Sequence, residues 1–121
     1  MSIRDALYRL AGFALAARAT VKLEKPAPVT FWCRGNNFDF PILDEHYRKE
    51  EPLGDLPWKF WNVRDDRTLV DTVMTLLPDF EIPTRDEDSL PAHDSLYDCI
   101  YQAQVHNACV EALTVYSGIY R

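Results

Sequence analysis

Apolar and polar residues follow a helical period at both ends of this chain and a strand-like density between them. Ile3, Leu7, Leu10, Ala14 and Ala17 recur at helical spacing and predict an amphipathic helix over roughly 3–18. Arg4, Asp5 and Arg18 fall on its opposite face, and Ser2 with Asp5 three residues later forms a capping box. Lys25-Pro26-Ala27-Pro28 breaks any helix. The run that follows, Val29-Thr30-Phe31-Trp32-Cys33, is β-branched, aromatic and apolar at nearly every position, and reads as a strand covered on both faces. Arg34-Gly35-Asn36-Asn37 predicts a turn. A helix then runs from about Phe38 to Lys49, with Pro41 in its first turn, Phe38, Ile42 and Leu43 inward, and Asp44, Glu45, Arg48 and Lys49 in water.

Glu50 to Pro57 reads as a loop, and Trp58-Lys59-Phe60-Trp61-Asn62-Val63 as a short strand or a tightly packed loop. Thr68 and Asp71 offer a second capping box for a helix near 69–77, striped by Leu69, Val73 and Leu76 and stopped by Pro78. Pro91 opens the longest helix, roughly Ala92 to Tyr116. Its stripe is Leu96, Ile100, Ala103, Asn107, Val110 and Leu113, with Cys99 and Cys109 alongside. The order predicts an α/β fold. One strand cannot make a sheet, so further strands lie in 20–30 and 58–65, or a sheet partner lies outside this chain.

Composition narrows the classes. The 121 residues are 47% hydrophobic, 12% aromatic and 26% charged, which is enough for one domain with a real core. No apolar run approaches the roughly 18–20 residues of a membrane span. Met1-Ser2-Ile3-Arg4-Asp5 does not read as a signal peptide, because Asp5, Arg4 and Arg9 interrupt its apolar stretch. Cys33, Cys99 and Cys109 are odd in number and widely spaced, which speaks against a disulfide framework or a zinc site and for a reducing cytoplasm.

The net charge of −6 is uneven: residues 79–98 hold seven of the 19 acids but, in Arg85, one of the 13 bases. An overall acidic chain does not grip nucleic acid through its net field. The acids at 79, 81 and 86–88 read as a solvated loop. Asp94 and Asp98 belong to a different pattern.

Two segments could carry chemistry. Asp39 stands at the start of a helix just past a strand's C-terminal end, where α/β folds place their sites. Read alone, it serves equally as a cap for that helix. His93 and Asp98 stand at the head of the last helix. A histidine just ahead of the helix could swing over the same cleft as Asp98, and such a pair can hold a divalent ion and activate a water. Read alone, they are also a capping histidine and a solvated acid.

Together these segments carry a resemblance. Phe31-Trp32-Cys33-Arg34-Gly35-Asn36-Asn37-Phe38-Asp39-Phe40-Pro41-Ile42-Leu43 resembles the second motif of the DEDDh 3′–5′ exonucleases, within the RNase H-like fold. More narrowly, it is similar to the phage and prophage group related to the mycobacterial-type 3′–5′ exoribonuclease. Pro57 to Leu69, with its Pro-Trp, Phe-Trp-Asn and Arg-Thr-Leu elements, resembles that group's intervening stretch. His93 to Ala103, with His-x-x-x-x-Asp, resembles the third motif.

The resemblance implies that Asp39 and Asp98 are the metal-binding carboxylates and His93 the general base. The cofactors would be two Mg²⁺ or Mn²⁺ ions about 4 Å apart, and the substrate the 3′ end of RNA or single-stranded DNA. The family's first motif, Asp-x-Glu, has no counterpart before Asp39, where the acids are Asp5 and Glu24. The fold expected is therefore a truncated RNase H-like α/β domain: a small sheet flanked by helices, a long C-terminal helix and the first strands missing. Residues 1–121 would form a single domain matching the C-terminal two-thirds of such an exonuclease, incomplete or inactive as this chain alone.

Metal binding would be weak without the first motif. A separate chain, or a second copy covering an exposed sheet edge, would then complete the molecule. The alternative is a catalytically dead, nuclease-derived phage protein in the cytoplasm of a bacterial host. Such a protein would bind a host protein or nucleic acid as inhibitor or adaptor, with Trp58, Phe60 and Trp61 as its interface.

Overall fold

In the computed structural model, which describes residues 1–20, 29–50 and 56–119, the first half of the chain is built on two strands. β1 (Phe31–Cys33) and β2 (Val63–Asp65) pair in parallel, with Phe31 opposite Val63, Trp32 opposite Arg64 and Cys33 opposite Asp65. Parallel strands need a crossover. It contains helix α2 (Asn36–Lys49), packed against both strands, and a 3-10 turn at Phe60–Asn62 that leads into β2. Helix α1 (Ile3–Thr20) precedes them. Helices α3 (Asp66–Leu76) and α4 (Ser95–Ile119) make up the second half. The fold is mixed α/β and mostly helical, in keeping with a truncated nuclease-like fold. The chain divides into two compact units, Met1–Asp65 and Asp66–Arg121.

Aromatic rings hold the first unit together. Leu7, Phe40, Tyr47 and Trp58 form its buried core. Trp58 stands edge-on to Phe31, Phe40 and Tyr47 at centroid distances of 5.6, 5.2 and 5.6 Å, the arrangement that aromatic quadrupoles favour. Each polar handle finds a partner. Trp58 Nε1 donates to Asp44 Oδ1 at 3.0 Å, and Tyr47 OH donates to the Leu7 carbonyl at 2.7 Å. Burial pushes the Tyr47 hydroxyl above its ordinary pKa. The capping box of α1 forms: the Asp5 N–H donates to Ser2 Oγ at 3.1 Å, and the Ser2 N–H donates to Asp5 Oδ2 at 3.2 Å. The Ser2 hydroxyl also donates to Asp5, and it is the main reason that carboxyl lies below its usual range.

The second unit is held by smaller side chains. Val73, Val105 and Cys109 are buried, with Leu69, Tyr101 and Leu113 packed around them.

Several expectations change. Phe38 is 68% exposed and Ile42 is exposed too; α2 buries Phe40 and Tyr47 instead, a face at i and i+7 that meets Trp58. β1 is not covered on both faces, because Trp32 is exposed while Phe31 and Cys33 turn inward. Trp58 is a core residue rather than an interface one, whereas Phe60 at 82% and Trp61 are exposed. The Thr68–Asp71 capping box does not form. Helix α3 starts directly after β2, so Thr68 already lies inside it, and its carbonyl accepts the Thr72 hydroxyl at 2.7 Å. On α4 the stripe through Leu96, Ile100, Ala103, Asn107 and Val110 faces solvent, and Val105 and Cys109 point to the core. The break at Lys25–Pro28, the neighbouring Glu24 and most of the Glu50–Pro57 loop lie outside the described residues.

Candidate active-site residues

Asp39 is positioned by a turn that only a few residues permit. The chain leaves β1 and reverses at Gly35, whose φ of 99° is left-handed and suits glycine. The Gly35 carbonyl then accepts the Phe38 and Asp39 N–H groups at 3.0 and 3.3 Å, which starts α2. The helix thus begins at Asn36, two residues ahead of Phe38, and Pro41 lies past its first turn. The orphan donors at this end are met from the neighbouring strand. Asp65 Oδ1 accepts the Gly35 N–H at 3.3 Å, and Asp65 Oδ2 accepts the Asn36 N–H at 3.2 Å. A carboxylate placed there also favours the positive end of the helix dipole. The capping duty therefore falls to Asp65. Asp39, half-buried in the first turn, has no hydrogen-bond or ion-pair partner for its carboxylate among the described residues.

His93 and Asp98 belong to the second unit. His93 stands outside the helix, with a φ of 66°, the one left-handed residue other than glycine among the described residues. This conformation costs an L-residue about 1 kcal/mol. Asp94 caps α4: its Oδ1 accepts the Leu96 and Tyr97 N–H groups at 3.0 and 3.3 Å, and its carbonyl accepts the Asp98 N–H at 2.8 Å. Asp98, one turn in, meets a cation. Arg85 Nη2 lies 2.8 Å from Asp98 Oδ1. The acidic stretch before it is exposed, as expected. Within it, Asp86 accepts the Ser89 hydroxyl and the Asp88 and Ser89 N–H groups, and the Ser89 hydroxyl chiefly holds the Asp86 carboxyl below its usual range.

A second acid–base pair lies where the sequence drew no attention. His106 Nδ1 is 2.8 Å from Asp66 Oδ1, joining α4 to the first residue of α3. An ionised carboxylate only accepts, so the ring Nδ1–H donates. Nearby Cys109 is fully buried, and burial, with a smaller push from the Asp66 charge, raises its thiol pKa. The available signal was a histidine amid the apolar positions of the longest helix.

The residues do not fit a divalent-ion site as they stand. Among the described residues no group of three His, Cys, Asp or Glu side chains gathers. Magnesium asks for near-octahedral oxygen coordination. Asp39 and Asp98 belong to different units, and Asp98 is already neutralised by Arg85.

A family model described as the 3′–5′ exoribonuclease Rv2179c-like domain matches residues 1–110. The exodeoxyribonuclease of Enterobacteria phage T4 is 38% identical over 84 residues, which cover 56% of this chain and 36% of that protein. The chain thus spans about a third of the length of this curated relative. No solved structure matches it significantly. The family model and the phage relative together support the DEDDh-type exonuclease class. Within that class, the chain belongs to the Rv2179c-like 3′–5′ exoribonuclease domain family. Among the described residues no helix is long and apolar enough to cross a membrane.

Proposed function

We propose that this chain is an exonuclease-like domain, the part that bears the second and third motifs, and that by itself it is incomplete or inactive. Its chemistry would be hydrolysis of RNA or single-stranded DNA from the 3′ end, and residues 1–121 would act as one domain in the cytoplasm. Asp39 and Asp98 would be the metal-binding carboxylates, with Mg²⁺ or Mn²⁺ as the ion. His93 would take the proton of the attacking water. The observation that carries this reading is Asp39: Asp65 caps α2 in its place, so Asp39 is left without a structural duty. In support of incompleteness, Asp98 is held by Arg85, and among the described residues no group of three metal-ligating side chains gathers. The missing carboxylates would come from a separate chain, and a second copy would cover an exposed sheet edge.

The 121-residue chain with Mn²⁺ should degrade labelled RNA or single-stranded DNA no faster than its Asp98→Ala variant. Supplying a separate segment that bears Asp-x-Glu should restore degradation. Asp39→Ala and Asp98→Ala should then abolish it, and His93→Ala should slow it about 100-fold. Restored activity indifferent to all three substitutions overturns the assignment.

A second reading is favoured by one feature. Phe60 and Trp61, both exposed, stack edge-on at 4.8 Å with Lys59 beside them, which suits a binding surface. On this reading the domain is a dead nuclease that binds a host protein or nucleic acid. A stoichiometric partner lost in Trp61→Ala would support it, and equal recovery by both chains would remove it.

A further inference from the structure

We propose that the solvent-facing side of α4 is a self-recognition seam, and that two copies of this chain pair along it as a short, parallel, two-stranded coiled coil.

The seam keeps a fixed spacing. Leu96, Ile100, Ala103, Asn107, Val110 and Thr114 follow one another in alternating steps of four and three residues, the heptad rhythm of a coiled coil. Leu96, Ala103 and Val110 take the d positions, and Ile100, Asn107 and Thr114 the a positions. All six are exposed, Leu96 at 64% and Val110 at 45%. The opposite side of the helix is already occupied: Val105 and Cys109 are buried with Val73 of α3. Apolar residues scattered singly over a surface are ordinary, but a row of them at heptad spacing is not.

Charge and residue type point to a second copy as the occupant. Residues 66–121 hold ten of the 19 acids and three of the 13 bases, and none of these charges falls on the seam. Two acidic copies can therefore meet there without like charges at the contact. Ile100 and Thr114 are β-branched at a, and Leu96 is at d, the choice that favours two parallel strands. Asn107 lies at an a position in mid-row, and its amide both donates and accepts. In a parallel pair it meets Asn107 of the second copy, which fixes the register. The Thr114 hydroxyl needs no such partner, because it donates to the Val110 carbonyl at 2.8 Å. Glu111 is the acid that flanks the seam. Parallel pairing sets it beside His106 of the second copy, five residues earlier, rather than beside another acid.

The size of the seam sets its strength. It runs for about 28 Å of helix. With its flanks it offers roughly a dozen residues a side, against about 20–30 in a standard interface. The helix is already built on α3, so pairing orders little more than side chains. The dimer is accordingly reversible and governed by concentration.

Sedimentation equilibrium of the full chain over a concentration series tests this. The mass should rise from one chain to two. Ile100→Glu combined with Val110→Glu should weaken pairing at least about 100-fold, since it sets like charges against each other in the seam. Circular dichroism should stay that of the natural chain, because both positions are exposed. Asn107→Leu should tighten pairing about tenfold and admit species larger than two. Asn107→Cys with Cys99→Ser should oxidise to a covalent dimer more readily than Cys99→Ser alone. A single-chain mass at every concentration overturns the proposal. So does pairing that the double glutamate variant leaves intact, which would move the contact to another surface such as the sheet edge. Should that variant not fold, Asn107→Leu and the cross-link decide: unchanged pairing and no added cross-link overturn the seam.

Discussion

The two units of this chain differ in how they treat the acid in the first turn of a helix, Asp39 of α2 and Asp98 of α4. In the first, Asp65 accepts the Gly35 and Asn36 backbone N–H groups, and Asp39 has no partner for its carboxylate among the described residues. In the second, Asp66 and Asp98 each face a side chain that carries or can carry positive charge, His106 and Arg85. Their cores differ in parallel: four interlocked aromatic rings on one side, two valines and a cysteine on the other. The lesson is that the availability of an acid is set by its competitors. A helix end that is capped from a neighbouring strand releases the acid in its own first turn. A helix whose first turn meets an arginine does not.

The largest expected effect tests the aromatic side of this contrast. Trp58→Ala should destabilise the first unit by about 3–5 kcal/mol, since it empties the centre of three edge-on contacts. Urea unfolding measures it, and a loss below about 1 kcal/mol would show that the rings are not the main tie. The next effect tests the charged side. Asp66→Ala should cost roughly 2–3 kcal/mol, because it strips a buried carboxylate from His106. His106→Ala should cost a similar amount, and the double variant should cost less than the sum of the two.

The smallest effect is alkaline. Folding raises the pKa of the Cys109 thiol, so above its unfolded value, near 8.5, the unfolded chain has lost a proton that the folded chain retains. Stability therefore falls as pH rises past that value and on toward the folded pKa. Tyr47, also raised, adds the same trend in the first unit only beyond its unfolded value near 10. Cys109→Val should flatten the earlier decline and leave the later one. A decline unchanged by that substitution would place its origin elsewhere.

Local signals were legible in the sequence and distant ones were not. The α1 capping box lies within four residues and forms as its spacing predicts. The strand at Phe31–Cys33 was likewise written in its β-branched and aromatic residues and the α/β class in the order of elements, whereas the last helix was legible as a helix but not in the face it buries. The start of α2 was not, because its cap comes from Asp65, 30 residues downstream of Gly35. The inward face of α2 followed Trp58, a partner that helical spacing cannot name. Asp39, His93 and Asp98 stood out through motif likeness. Arg85 and the Asp66–His106 pair emerge only when segments distant in sequence meet.

The placement of the indole rings has a spectroscopic consequence. All three tryptophans, Trp32, Trp58 and Trp61, lie in the first unit, and only Trp58 is buried. Intrinsic fluorescence at indole wavelengths is thus a one-sided reporter: its red shift on denaturation comes chiefly from Trp58 and is blind to α3 and α4. Helical circular dichroism sees both units. Superimposed transitions by the two signals would mean that the halves melt as one cooperative body, and a fluorescence change displaced from the dichroism would time the aromatic half separately.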